Sequence, residues 1–450
     1  MLVKIRYWGG IKGCLIEICH AFRPAAKYAS QSQPAYDSGA MKYQYRFRLW
    51  QIPIFLGAFM AALVFGSYVQ LQRDPPSIAI GRLSAAELEL SAETPELSIP
   101  WPSKGSAAVG VGGAGLIGSH RDDQPRPIAS LVKVMTAYVV LKDHPLRAGD
   151  PGPEIKVEAE DIQLYLEQLN NGESVILVRE GAVIHQQSLL EGLLVPSGNN
   201  LAFLLARWSS GSVEAFVERM NQEAEALGMS QTEYADPSGV SFGNVSTAQD
   251  QIKLAMAAMS NPLLARIVRM EQTQLPVVGT VYNVNALLGQ DNLVGVKTGW
   301  TEEAGACFLF AADWPVDGQT VRVFGAVLGQ DTLADAFGAS RRLVNATGSS
   351  LQVVTAVGKD GPGTPVTTAW GRRTTAVPED DIRVVVWPGL EVEASLERRS
   401  PTREVERGAE VGTIIVTAGE QRIEMPAIAQ GSLTNAGILW RLTRGPSMPW

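Results

Sequence analysis

The sequence predicts an α/β (α+β) protein in which an antiparallel sheet is flanked by helices and joined to a mainly helical subdomain. A separate all-β domain is predicted at the C-terminal end, and one transmembrane helix near the N-terminal end. Three observations predict this. Apolar residues recur with a helical period between about residues 130 and 262, and the period becomes that of strands between 293 and 328. Beyond Ser350, short β-rich runs alternate with Gly, Pro and charged residues.

Composition sets the broad class. With 450 residues and 46% hydrophobic content, the chain is long enough for two or three domains with sizeable cores. Cys14 and Cys19 precede the predicted membrane segment and Cys307 follows it, so no disulfide framework is expected. The four histidines lack metal-ligand spacing, and neither a metal nor another cofactor is predicted.

Charge is divided unevenly along the chain. Residues 1–73 carry nine Lys and Arg and two acidic residues, a net charge of +7, so the remainder carries −15 of the total of −8. An acidic body without a basic stripe makes nucleic acid an unexpected partner.

A membrane helix is predicted over residues 49–71. Residues 52–69 contain no charged residue, and this length just spans a bilayer. Lys42, Arg46 and Arg48 come directly before it, so the positive-inside rule places the N-terminal side in the cytoplasm and the rest outside. A cleaved signal peptide is the alternative, but no clear Ala-x-Ala site follows the apolar run, which favours an uncleaved anchor.

The remaining boundaries follow from changes in composition. Residues 1–48 form a basic extension, and Met41 begins a short basic stretch that is itself typical of a translation start before an anchor. Residues 72–98 are predicted to be a linker. Residues 99–349 are predicted to form one domain of mixed helices and strands, and residues 350–450 the β-rich domain.

Individual elements are predicted from periodicity and from start and stop signals. Predicted helices cover 130–141, 189–206 with a break at Pro196, 213–227, a segment that starts at Ser246 and ends before Pro262, and 333–344. Predicted strands cover 107–111, 115–117, 293–298, 306–312, 321–328, 353–357, 382–387 and 413–417. Residues 438–442 are predicted to be a closing strand or a docked tail.

The first candidate site lies at the start of the helix that follows Pro127. Ser130 and Lys133 are three residues apart and therefore share one helix face. Unpaired N–H groups of the first turn favour an alkoxide at Ser130, and apolar surroundings favour a neutral Lys133 that can act as a base. The same spacing also fits a helix cap followed by a lysine whose chain covers apolar surface.

Two further motifs follow in order. Ser197 and Asn199 flank Gly198 in the turn at Pro196, between two helical segments. Lys297, Thr298 and Gly299 end an apolar run that reads as a buried strand, and Trp300 comes next. The candidate site residues are therefore Ser130, Lys133, Ser197, Asn199, Lys297, Thr298, Gly299 and Trp300.

In this order, Ser-x-x-Lys, Ser-x-Asn and Lys-Thr-Gly form the signature of penicillin-recognising active-serine enzymes. The sequence resembles the D-alanyl-D-alanine carboxypeptidases among the low-molecular-mass penicillin-binding proteins, and thus implies a penicillin-binding transpeptidase-like catalytic domain. The blocks that carry the resemblance are 127–137, 190–200, 216–229, 246–250, 283–287 and 295–307. A softer likeness extends to the β-rich tail, and residues 1–48 match nothing in the family.

The resemblance implies a role for each site residue. Ser130 would be the acyl-accepting nucleophile and Lys133 its general base. Ser197 would relay a proton to the departing D-alanine, and Asn199 would hold a substrate amide. The remaining roles fall on the third motif. Lys297 and Thr298 would lie on the edge strand facing the site, bind the terminal carboxylate and keep Lys133 neutral by like-charge repulsion. Gly299 would complete this substrate-binding motif, and Trp300 would give a backbone N–H to the oxyanion hole with Ser130.

The resemblance also implies the partners and the location. The substrate would be a peptidoglycan stem peptide ending in D-Ala-D-Ala, β-lactam antibiotics would be covalent inhibitors, and the N-terminal helix would hold the chain in a bacterial cell membrane as a single-pass protein with its catalytic domain extracytoplasmic.

Three other readings are weighed against a carboxypeptidase. A serine β-lactamase would need a Glu-x-x-Leu-Asn pentad after the second motif, and none occurs between Asn199 and Lys297. A non-catalytic envelope scaffold would have no use for a buried serine–lysine pair. A peptidoglycan D,D-endopeptidase shares all three motifs, and only overall resemblance and the β-rich tail speak against it.

Overall fold

The computed structural model describes residues 50–81, 97–147, 149–398 and 403–444, so the basic extension and Met41 lie outside the described residues. Within these ranges the helices are α1 (Gln51–Gln72), α2 (Val132–Asp143), α3 (Ala159–Asn170), α4 (Gln186–Leu194), α5 (Asn199–Ser210), α6 (Val213–Ala226), α7 (Ala248–Met259), α8 (Pro262–Ile267), α9 (Leu333–Ser350) and α10 (Ile438–Thr443).

The same ranges contain the strands of the fold. They are β1 (Ala79–Ile80), β2 (Ser106–Val111), β3 (Gly115–His120), β4 (Arg126–Pro127), β5 (Glu154–Lys156), β6 (Val183–His185), β7 (Val245–Ser246), β8 (Gln272–Leu275), β9 (Gly279–Tyr282), β10 (Leu293–Thr301), β11 (Gly305–Val316), β12 (Gln319–Gln330), β13 (Gln352–Val357), β14 (Thr364–Thr367), β15 (Arg373–Pro378), β16 (Ile382–Val386), β17 (Val392–Arg398), β18 (Glu410–Ala418) and β19 (Gln421–Ala429).

Helix α1 covers residues 51–71 of the predicted membrane segment. It has 22 residues and a mean hydropathy of 2.0, and none of its side chains is buried. Among the described residues it is the helix that is long and apolar enough to cross a membrane.

An antiparallel sheet organises the region between residues 99 and 349, which carries the three motifs and is called the catalytic region. Its strands lie in the order β10-β11-β12-β2-β3, which confirms the predicted meander. Residues of β11 are buried in succession because both faces of the sheet are covered: Phe308 and Phe310 pack toward α9, and Leu309 and Ala311 pack toward α7. A strand buried on both faces has a continuous apolar run instead of an alternating one.

The helical block surrounds α2, and nine of the twelve α2 residues are buried. Helices α4, α5, α6 and α7 pack around it. The chain leaves the helical conformation between Leu194 and Asn199, so the predicted interruption at Pro196 is confirmed. The N-cap of α7 is Thr247, whose hydroxyl accepts from the Asp250 N–H, one residue later than the predicted start at Ser246.

The C-terminal region contains a six-stranded sheet in the order β1-β14-β15-β19-β18-β17 and the strand pair β13–β16. They enclose an apolar cluster of their own. Strand β1 was not predicted: Ala79 and Ile80, inside the expected linker, pair with Thr367 and Val366. Part of the predicted linker therefore belongs to this sheet.

The C-terminal region also packs against the catalytic region. Leu351 and Trp387 are buried in the cluster between the five-stranded sheet and α9. The Glu420 N–H donates to the Ala114 carbonyl at 3.0 Å. The two regions therefore share a core as well as having separate ones.

Residues 438–443 form the short helix α10, not a closing strand. Arg444 donates from its guanidinium to the carbonyls of Arg73 and Asp74 at 2.8 and 2.9 Å, and Arg441 donates to the carbonyl of Leu71. Ile438 and Leu439 are 70% and 77% exposed. Arg441 in α10 and Arg444 directly after it are thus hydrogen-bonded to the backbone of residues 71–74.

Candidate active site

Ser130 and Lys133 are positioned by the turn that leads into α2. Ser130 lies in a 3-10 turn over Ala129–Leu131, and α2 begins directly afterwards, so the serine precedes the α-helix and does not lie in its first turn as predicted. The tighter turn is closed by the Leu131 N–H, which donates to the Ile128 carbonyl at 3.2 Å. Lys133 Nζ lies 2.8 Å from Ser130 Oγ.

Lys133 is completely buried among apolar side chains. Its Nζ also lies 2.6 Å from the Ser238 carbonyl. Burial, followed by the charge of Lys297, holds the pKa of Lys133 well below its ordinary value, and the carboxylates of Asp236 and Glu173 act in the opposite direction. A lysine with a lowered pKa is available as a neutral base beside the serine hydroxyl.

The Lys-Thr-Gly motif lies on β10, the edge strand of the five-stranded sheet, next to the serine turn. A Cβ on Gly299 would lie 3.0 Å from the Ser130 backbone nitrogen and 3.1 Å from the Ile128 carbonyl oxygen, so any larger residue would have to push the serine turn away by a few tenths of an ångström. Lys297 is buried beside it, and burial lowers its pKa to about 7. Trp300 follows on the same strand with a side chain that is 58% exposed.

Ser197 lies in the turn between α4 and α5, Asn199 is the first residue of α5, and both are buried. Ser197 has a φ of 68°, a left-handed conformation that is uncommon for a residue with a side chain. A Cβ on Gly198 would lie 2.7 Å from Ile176 Cγ1 and 3.0 Å from the Gly192 carbonyl oxygen. The glycine between the two polar residues is therefore required by packing.

Residues 173–176, upstream of this turn, lie beside the start of α5. Asn199 donates through Nδ2 to Glu173 Oε2 at 2.8 Å, and its backbone N–H donates to the Ser174 carbonyl at 2.8 Å. Asn200 forms two hydrogen bonds with the backbone of Ile176, each 2.9 Å long. Residues 173–176 are thus held against the start of α5.

Two acidic residues near Lys133 escaped the sequence analysis. Asp236 accepts from the N–H groups of Ser238 and Gly239 and so fixes the loop whose Ser238 carbonyl meets Lys133. Asp-Pro-Ser-Gly at 236–239 is a turn signal in the sequence, but it does not reveal what the turn touches. Glu173 lies 26 residues before Asn199, and no local pattern in the sequence links the two side chains.

The structure therefore brings the first and third motifs into contact and links the second motif to them through Glu173. Ser130 and Lys133 are in direct contact, Gly299 approaches the Ser130 backbone, and the charge of Lys297 acts on Lys133. Asn199 joins them through Glu173, which acts on the same lysine.

Comparisons with known proteins agree with this arrangement. The family model described as D-alanyl-D-alanine carboxypeptidase matches residues 111–332. A D-alanyl-D-alanine endopeptidase of Pseudomonas aeruginosa is 33% identical over 238 residues, which cover 50% of this chain and 74% of the relative. The D-alanyl-D-alanine carboxypeptidase DacF of Bacillus subtilis is 24% identical over 335 residues, 70% of this chain and 82% of the relative.

A solved structure extends the likeness in fold beyond the catalytic region. The D-alanyl-D-alanine carboxypeptidase DacD from Francisella tularensis superposes with a TM-score of 0.54 at 22% identity, over 76% of this chain and 95% of the other. The fold and these matches define a serine-type D-alanyl-D-alanine peptidase, which is a hydrolase. The chain belongs to the D-alanyl-D-alanine carboxypeptidase family.

Proposed function

We propose that this chain is a carboxypeptidase that removes the terminal D-alanine from peptidoglycan stem pentapeptides through an acyl-enzyme on Ser130. One observation carries the proposal: the amine of a completely buried lysine with a lowered pKa lies 2.8 Å from the Ser130 hydroxyl. A nucleophile and a base within hydrogen-bond reach are what acyl transfer requires.

In the first half-reaction, Ser130 Oγ attacks the carbonyl carbon of the penultimate D-alanine while Lys133 takes the hydroxyl proton. The negative charge on the carbonyl oxygen would be stabilised by the backbone N–H groups of Ser130 and Trp300. Collapse of this intermediate breaks the peptide bond, and the proton held by Lys133 would pass through the Ser197 hydroxyl to the nitrogen of the departing D-alanine, which leaves Lys133 neutral again.

In the second half-reaction, water adds to the ester carbonyl and Ser130 leaves as its hydroxyl, which releases the shortened peptide. Lys297 and Thr298, buried on the edge strand beside the serine turn, would bind the terminal carboxylate of the substrate. Gly299 would allow the substrate and the strand to approach the serine closely.

Penicillins would enter the same reaction. Ser130 would attack the β-lactam carbonyl and open the ring, and the ring nitrogen would leave but stay attached to the acyl group. The product would be a long-lived ester on Ser130.

We propose that α1 anchors the chain in a bacterial cell membrane as a single-pass protein with the catalytic region outside the cytoplasm. Its length and hydropathy support a span, and the basic residues before it support this orientation. Substrate in the cell wall requires the same location.

A D,D-endopeptidase is the second candidate, and the Pseudomonas aeruginosa relative favours it because that protein is described as one. The alignment with DacF, which is described as a carboxypeptidase, favours that activity. It covers 70% of this chain and so extends beyond the catalytic region. Both reactions use the same acyl-enzyme, and only the leaving group differs.

Defined muropeptides separate the candidates. The full chain is incubated with a monomeric pentapeptide and with a cross-linked dimer, and the products are identified by mass spectrometry. Free D-alanine from the monomer is expected, and monomers released from the dimer would instead support an endopeptidase. Ser130→Ala is the matched control for both substrates, and a wild-type chain that cleaves neither would support a non-catalytic scaffold.

A further inference from the structure

Helix α2 holds two neighbouring loop carbonyls with side chains that lie one turn apart. Lys133 Nζ lies 2.6 Å from the Ser238 carbonyl oxygen, and the Thr136 hydroxyl donates to the Pro237 carbonyl at 2.6 Å. All four residues are buried. The acceptor within the helix, the Val132 carbonyl, is 3.5 Å from the Thr136 hydroxyl, so the single hydroxyl proton is used on the loop. The loop and α2 are therefore joined at the base itself and one turn beyond it.

The loop that carries these carbonyls is built around the buried carboxylate of Asp236. Its Oδ1 accepts from the N–H and the hydroxyl of Ser238 and from the N–H of Gly239. Its Oδ2 accepts from the N–H of Ser241 and from Asn244 Nδ2. Hydrogen bonds to a charged acceptor are strong, and this many of them leave the loop little freedom. Asp236 thus holds the Ser238 carbonyl in place from within the loop.

The same loop lies against the turn that carries the nucleophile. Gly239 has a φ of 94°, and a Cβ on it would lie 2.0 Å from the Ala129 carbonyl oxygen and 2.9 Å from the Ser130 backbone nitrogen. Neither the backbone conformation nor the space permits a side chain there. The loop and the serine turn are therefore in direct contact, which fixes the Ser238 carbonyl relative to Ser130 as well as to Lys133.

The contact with the Ser238 carbonyl constrains the amine of Lys133. A carbonyl oxygen only accepts hydrogen bonds, so Nζ must donate one N–H to it. A neutral amine has a second N–H and one lone pair, and with one N–H held, rotation about the Cε–Nζ bond can place either of them toward Ser130 Oγ, 2.8 Å away. When the lone pair faces Oγ, the serine proton moves to Nζ while Oγ bonds to the substrate carbonyl carbon, and Nζ becomes an ammonium group.

We propose that Asp236 and Thr136 are positioning residues for acylation, which hold the Ser238 carbonyl where it keeps the lone pair of the Lys133 amine toward the Ser130 hydroxyl. This inference rests on the proposed function. Both residues act through the loop, so they change the rate of proton transfer and not the binding of a substrate or a penicillin.

The charge of Asp236 supplies a readout that distinguishes positioning from a merely structural role. Burial and then Lys297 on β10 lower the pKa of Lys133, whereas the carboxylates of Asp236 in the loop and Glu173 in the segment beside α5 raise it. Loss of the Asp236 charge therefore lowers the pKa of Lys133 further, and the acid limb of the acylation rate moves to lower pH. A loop that merely opened would admit water to Lys133, raise its pKa and move the limb to higher pH.

Penicillin acylation of the full chain separates the rate of the chemical step from binding. The acylation rate constant and the apparent Kd are measured by stopped-flow over a range of penicillin concentrations for wild type, Asp236→Asn and Thr136→Val. Asp236→Asn should lower the rate constant about tenfold or more and Thr136→Val about threefold or more, because a misplaced base slows proton transfer. The apparent Kd should stay within about twofold of wild type in both variants. Thr136→Ser keeps the hydroxyl and should keep the rate constant within about twofold of wild type.

Two matched control variants lie outside the loop. Thr347→Val makes the same change at a buried threonine of α9 whose hydroxyl has no hydrogen-bond partner among the described residues. Asp360→Asn removes the same charge as Asp236→Asn from an exposed position in the C-terminal region. Both should acylate at the wild-type rate, and a loss as large as in the loop variants would overturn the proposal.

A wild-type rate constant in Thr136→Val would overturn the proposal, and so would an acid limb in Asp236→Asn that stayed in place or moved to higher pH. A weaker Kd with an unchanged rate constant would also overturn it, because the loop would then act on binding. Thermal unfolding shows whether Asp236→Asn folds, and if it does not, Thr136→Val and Thr136→Ser decide the question. If the wild type released no D-alanine and formed no penicillin adduct, the proposed function itself would have failed.

Discussion

The catalytic and C-terminal regions differ in whether they bury charged side chains. Between residues 99 and 349 the buried polar residues include Lys133, Lys297, Asp236 and Glu223. Among the described residues beyond 350, the polar side chains recorded as buried are Thr364 and Thr368, which are neutral. Burial of charge costs free energy, so it persists where the charge is paired or where chemistry needs a shifted pKa.

A sheet with an apolar core does not by itself identify the reactive region, because both regions contain one. What distinguishes the catalytic region is a pair of buried lysines whose pKa values are both lowered by burial. The following experiments test whether chemistry resides in that region alone.

The largest effect is expected for Ser130→Ala. The variant should form no stable adduct with a labelled penicillin, because the covalent bond is made by Ser130 Oγ. Gel fluorography of the full chain measures this. An adduct of wild-type intensity would show that another residue is the nucleophile. The contrast between the catalytic and C-terminal regions would then lose its basis.

Lys133→Arg should reduce acylation by several orders of magnitude while the fold survives. Arginine keeps a positive charge but cannot lose its proton at accessible pH, so it cannot accept the proton from the serine. The rate is measured by stopped-flow or quenched acylation, with Lys133→Ala as the companion variant. Acylation near the wild-type rate in the arginine variant would show that the lysine acts as a fixed charge.

A smaller effect, about tenfold per pH unit, is expected above the pKa of Lys297, which is about 7. Below this value Lys297 is protonated and can bind the substrate carboxylate, and as pH rises through it the charge is lost. The value of kcat/KM in the free enzyme should therefore fall on the alkaline side.

A substrate with a terminal amide in place of the carboxylate provides the control for this limb. Its turnover should be slower throughout and should lack the decline above pH 7. The same decline with both substrates would exclude Lys297 as the group that recognises the carboxylate.

The smallest effect on rate is expected when the chain ends after Ser350. Acylation should remain within about threefold of wild type, because the three motifs and both lysines precede the cut. Stability should fall by a few kcal/mol, since Leu351 and Trp387 leave a shared apolar cluster. Thermal unfolding and acylation are measured on the same sample.

Substitution of Trp387→Ala in the full chain separates the two causes. It should reproduce part of the stability loss without removing the domain. A folded, truncated chain that no longer acylates would show that the C-terminal region completes the site. It would contradict the idea that the chemistry resides in the catalytic region alone.

The sequence by itself determined most helices of the helical block, the three strands of the meander and the reactive pair. Apolar periodicity placed the helices around Ser130 and the three strands of the meander, because burial on one or both faces leaves a repeating pattern along the chain. The serine–lysine spacing could be read directly, since residues three apart share a helix face.

Only the tertiary structure decided what surrounds that pair. Glu173 and Asp236 act on Lys133 from segments 40 and 103 residues away along the chain, and no local pattern records which loop folds onto which helix. Strand β1 pairs with a strand almost 290 residues later, and its partners supply hydrogen bonds from the backbone, which leaves no signature in side-chain periodicity. Long-range contacts of this kind depend on how the whole chain packs, and so they appear only when the fold is known.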